Sequence, residues 1–126
     1  MKTLAYHSPF LPQKSGISHY SSELLSALKA HYDITLVSDE TELLDFPIIT
    51  YERFYELMSD ESTAFERVIY NMGNNTLHYN IYECALNYPG VVILHDFFIS
   101  NFMHVCYDYD DILQKEIFKE YGFQGL

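Results

Sequence analysis

Five short apolar runs alternate with stretches of helical periodicity along this 126-residue chain, and that alternation restricts the fold more than any other feature. Residues 3–6, 33–38, 47–50, 68–72 and 91–94 read as strands. Between them, Ile17, Tyr20, Leu24, Ala27 and Leu28 recur at helical spacing, as do Tyr51, Phe54, Tyr55 and Met58, and then Leu77, Ile81, Cys84, Ala85 and Tyr88. Pro89-Gly90 stops the third of these helices. Residues 97–107 are apolar and read as a further helix, and Asp108, Asp110 and Asp111 precede a last amphipathic one carrying Leu113, Ile117 and Tyr121. Strands separated by helices form parallel sheets, so the expected fold is α/β: a Rossmann-like three-layer α/β/α sandwich with a mostly parallel sheet in the order 3-2-1-4-5. The run Val91-Val92-Ile93-Leu94 has the composition of a strand buried on both faces.

Ligands in such folds bind beyond the carboxyl ends of the strands, where the order reverses. Three polar features are expected to share that edge: the loop 8–16, the turn Gly73-Asn74-Asn75, and His95-Asp96 directly after the fifth run. Gly16 precedes a helix, where unpaired backbone N–H groups and the helix dipole suit a phosphate. The plainer alternative is an ordinary strand-to-helix turn capped by Ser15 or Ser18. His95 stands where a chemically useful histidine would stand, or it merely caps backbone groups at a strand end.

Composition narrows the partners. The chain is one domain by length, and 48% apolar residues suffice for a core. Eighteen acidic against seven scattered basic residues give a formal charge of -11, which disfavours nucleic acid. No run has the length of a membrane span, and no signal peptide is recognisable, so a cytoplasmic location is expected, with Cys84 and Cys106 as packing thiols. Twelve Tyr and nine Phe exceed what a small core readily absorbs, which suggests self-association or a covering segment.

The segments Pro12-Gln13-Lys14-Ser15-Gly16-Ile17-Ser18-His19-Tyr20-Ser21, Asn71-Met72-Gly73-Asn74-Asn75 and Pro89-Gly90-Val91-Val92-Ile93-Leu94-His95-Asp96 resemble, in order and spacing, the amino-terminal domain of family 4 glycosyltransferases. The resemblance runs from Met1 to about Ser100. It implies one half of a GT-B fold, with residues 1–126 as the acceptor-side domain of a retaining enzyme and a donor-binding carboxyl-terminal domain absent. By the same resemblance, Gly16 and Ser15 approach the donor diphosphate, His95 reaches the transferred sugar as the catalytic residue, and Asn74, Asn75 and Asp96 border the acceptor. The implied partners are a nucleotide-sugar donor and a carbohydrate or glycoconjugate acceptor, without cofactor or metal. The family's paired glutamates eight positions apart do not occur here, so the chain is expected to be inactive alone.

Three rivals remain. A dinucleotide-binding domain lacks its Gly-x-Gly-x-x-Gly turn after the first strand. A non-catalytic interaction or regulatory module is favoured by the Tyr-rich composition. For a His-Asp metal hydrolase, nothing in the sequence gathers His7, His19, His31, His78 or His104 around Asp96.

Overall fold

In a computed structural model, residues 1–10, 16–39, 45–74, 76–96 and 99–107 are described. The elements follow the expected alternation: β1 (Lys2–His7), α1 (Gly16–Leu28), β2 (Tyr32–Val37), β3 (Ile48–Ile49), α2 (Tyr51–Met58), β4 (Arg67–Met72), a 3-10 turn (Thr76–His78), α3 (Tyr79–Asn87), β5 (Val91–Leu94) and α4 (Ser100–Tyr107). The expected last helix through Leu113, Ile117 and Tyr121 lies outside the described residues, as do Ser15, Asn75 and most of the acidic turn after Asp39. None of the described helices is long and apolar enough to cross a membrane.

The sheet has five parallel strands in the order β3-β2-β1-β4-β5. Right-handed crossovers then dictate which face each helix covers, because the chain moves outward from β1 in one direction and, after β3, in the other. Side chains divide accordingly. Leu4 and Tyr6 of β1 join Leu25 of α1 and Ile34 and Leu36 of β2 in one apolar cluster. Ala5, Val68, Tyr70 and Met72 face the opposite way and pack with Phe54 of α2, Ile81 and Cys84 of α3, and Phe102 of α4. These are the three layers of a Rossmann-like α/β sandwich. Thr50 caps α2 by accepting a hydrogen bond from the Arg53 N–H at 3.1 Å, which satisfies one of the donors a helix start leaves unpaired.

A buried chain of hydroxyls fixes α1 to the end of β1. Ser8 Oγ donates to the Pro9 carbonyl at 2.8 Å, so in its 2.5 Å contact with Ser21 the Ser21 hydroxyl is the donor. Ser21 Oγ in turn accepts from Tyr6 Oη at 3.0 Å. Each proton has one place to go, and the start of α1 is thereby held above the carboxyl edge of the sheet.

Two expectations need correction. The run Val91–Leu94 is not buried on both faces: Val91, Val92 and Leu94 are 58%, 48% and 50% exposed. The strand order makes β5 the last described strand, α1 lies over β1 and β2, and so neither face of β5 is closed by a described helix. Leu77 is also exposed rather than part of the inner face of α3. It belongs to the 3-10 turn, whose three residues per turn shift the phase of the pattern and bring His78 inward instead.

His7 is the most costly feature of the core. It is fully buried, neither ring nitrogen has a hydrogen-bond partner, and Phe54 and Tyr70 enclose it at centroid distances of 4.5 and 4.6 Å. Burial in this aromatic cage pushes its pKa down from 6.5 to about 3. The unfolded chain takes up that proton near pH 6.5 while the folded chain refuses it. Stability is therefore complete above pH 6.5 and is lost toward pH 3, at about 1.4 kcal/mol per pH unit for one such histidine. Replacing His7 with Leu removes both the unpaired nitrogens and this proton uptake. Urea denaturation should find H7L more stable at pH 7 by about 1–2 kcal/mol, with a smaller loss between pH 7 and pH 5 than the parent chain. An unchanged pH dependence would contradict this assignment.

Candidate functional site

The site is built at the carboxyl edge where β1, β4 and β5 lie side by side. Asn71, one residue before the end of β4, is fully buried. Its register partner on β5 is Ile93, and its side chain shares the α1 face of the sheet with Ile69. Asn71 Nδ2 donates to the His7 carbonyl at 2.9 Å, tying β4 to the end of β1. Asn71 Oδ1 lies 2.9 Å from His95 Nε2, and the Asn71 carbonyl lies 2.9 Å from His78 Nδ1. One residue thus holds the end of a neighbouring strand and two imidazoles.

His95 follows β5 directly, and its backbone N–H donates to the Met72 carbonyl at 2.9 Å, extending the ladder by one step. Its ring meets Tyr20 of α1 edge-on at 4.8 Å. The start of α1, which opens at the exposed Gly16 with no acidic residue in its first turn, therefore stands on the same edge as His95. That is the juxtaposition expected from sequence. A Cβ built on Gly16 meets nothing within 4 Å, so a side chain there would enter open space.

Asn74 and Asp96 also make hydrogen bonds within the fold. The His95 ring is held by Asn71 rather than by the adjacent Asp96. Asp96 Oδ2 instead accepts a hydrogen bond from the Asn74 N–H at 2.8 Å. Asn74 Oδ1 accepts from the Phe102 N–H at 2.8 Å, within the first turn of α4, so this side chain acts as a surrogate helix cap. Asn74 and Asp96 together staple the turn after β4 to the turn after β5. Ser15 and Asn75 lie outside the described residues.

Sequence reasoning passed over two members of the site. His78 was left apart from Asp96, yet it folds beneath Gly73. A Cβ on Gly73 would stand 2.6 Å from Ile17 Cδ1, 2.8 Å from His78 Nε2 and 3.3 Å from Asp96 Oδ2. Only glycine lets α1, His78 and Asp96 close around this turn. Asn71 carried a visible signal, since a polar residue inside an apolar strand must find partners when buried.

Burial favours the neutral form of both imidazoles. Burial pushes the His78 pKa below its ordinary value, against the opposing pull of the Asn71 carbonyl, and its Nε2 has no partner. Burial also lowers His95, with Asp96 pulling the other way. Among the described residues no group of three His, Cys, Asp or Glu is placed to share a metal ion. Cys84 is a free, buried thiol pushed up to about 11 by burial. What the arrangement offers is a set of neutral imidazoles and a helix amino terminus, suited to hydroxyl groups and to an anion respectively.

Comparison with protein-family models, with curated proteins and with solved structures finds no match to this chain.

The glycines make opposite predictions. Gly73→Ala forces a Cβ against two side chains, of which His78 cannot yield without losing Asn71, and should cost about 1–3 kcal/mol in denaturant titration. Gly16→Ala enters open space and should stay within about 0.5 kcal/mol of the parent. Equal effects of the two substitutions would contradict the packing described at this edge.

Proposed function

We propose that this chain is the acceptor-side, amino-terminal half of a retaining glycosyltransferase of GT-B architecture. Its substrates are a nucleotide-sugar and a carbohydrate or glycoconjugate acceptor, and it works in the cytoplasm. The observation that carries the reading is the meeting of α1 and His95 at one carboxyl edge, Tyr20 against the imidazole at 4.8 Å, in a sheet of order β3-β2-β1-β4-β5. The three segments that resemble family 4 glycosyltransferases supply the elements of that edge.

The chemistry follows from charge. Breaking the bond between a sugar and a diphosphate places negative charge on the leaving group and positive charge on the ring. The N–H groups at the start of α1 face the first. A neutral His95 faces the second without adding a repelling positive charge, and so orients the sugar rather than attacking it. Arginine and lysine from a donor-binding domain complete the neutralisation.

The open β5 favours a second reading, a non-catalytic module that docks a partner through Val91, Val92 and Leu94. Sugar transfer separates the two. With the complete reading frame and a panel of nucleotide-sugars, His95→Ala should lower kcat roughly tenfold or more while the acceptor KM moves little. Gly16→Leu should instead weaken donor binding. Normal turnover with His95 replaced would reject the transferase reading of this histidine.

A further inference from the structure

We propose that Asn71 is a positioning residue that fixes His95 and His78 in opposite tautomers, so that the edge presents the His95 Nδ1 lone pair to a ligand that donates a hydroxyl hydrogen. The His7 carbonyl accepts only, so the Asn71 atom 2.9 Å from it is the amide nitrogen, and the other atom, facing His95, is the carbonyl oxygen. An amide oxygen also accepts only. His95 Nε2 must therefore carry the proton, which leaves Nδ1 of the neutral ring with its lone pair.

The same logic runs in reverse at His78. Its Nδ1 lies 2.9 Å from the Asn71 main-chain oxygen and must carry the proton, which leaves the lone pair on Nε2. That nitrogen is buried, unpartnered and turned toward Gly73, near the carboxylate of Asp96. Two oxygens of one residue thus set two rings the opposite way round. His95 Nδ1, on the half-exposed ring, has no hydrogen bond among the described residues and is the atom a ligand hydroxyl reaches. Such an acceptor discriminates for a polyol O–H and against a ligand group that can only accept.

This inference rests on the transferase reading for its substrate class, while the hold of Asn71 on the two rings is tested apart from catalysis. Nitrogen-15 spectra of the histidine rings in the 126-residue chain, at a pH where both are neutral, should find His95 protonated at Nε2 and His78 at Nδ1. The His78 result is the sharper one, because free neutral imidazole side chains favour the other form. Asn71→Asp keeps the shape but sets a carboxylate against the His95 ring, which otherwise faces Asp96, His78 and Tyr20, and should move its titration upward by about one pH unit or more. In the complete enzyme, Asn71→Ala should reduce kcat by roughly tenfold to a hundredfold with little change in acceptor KM. Circular dichroism and thermal melting should show both variants folded. His95 protonated at Nδ1, both rings in the same form, or a His95 titration unmoved in Asn71→Asp would overturn the proposal. A parent enzyme that transfers no sugar, with the ring protons placed as stated, would overturn the transferase reading and the hydroxyl assignment with it.

Discussion

The side-chain amide of Asn71 has to find hydrogen-bond partners inside the protein, because a buried amide without them costs on the order of 1–3 kcal/mol. It finds them on both sides of β4. Its nitrogen binds the last carbonyl of β1 and its oxygen binds the ring that follows β5. Three adjacent strands are thus tied together near their carboxyl ends. The helix that leaves β1 can then meet His95, and the turn that leaves β4 can meet Asp96.

Around that amide the chain tolerates groups that oppose stability. His7 and His78 are buried with unpaired ring nitrogens, in a protein whose formal charge of -11 would favour protonated imidazole on its surface. Aromatic packing makes this possible. Phe54, Tyr70 and Tyr88 surround the end of β1 and α3, and Tyr70 donates its hydroxyl proton to the Tyr88 carbonyl, so large rings enter the core without stranding their polar ends.

The strand order was legible because β-branched runs and 3.6-residue periodicity alternate without ambiguity, and the start of α1 was legible from Gly16 and the spacing after it. What sequence could not reveal depended on position rather than type. Val91-Val92-Ile93-Leu94 has the same composition whether it lies at the centre or at the edge, and only the assembled order leaves it open. Leu77 turns outward and His78 inward because a 3-10 turn rotates the helical pattern before α3 begins. Asp96 was sought beside His95, yet the turn geometry gives its oxygen to the Asn74 amide. Adjacent positions in a turn point in different directions, and the alternation of a strand no longer applies there.

The central functional claim is that this edge holds a sugar during transfer with retention. It is tested most directly by the anomeric configuration of the product formed by the complete reading frame from a nucleotide-sugar, read by proton NMR as it appears. The account predicts the configuration of the donor. Inversion, or no transfer from any donor of a broad panel, would contradict it.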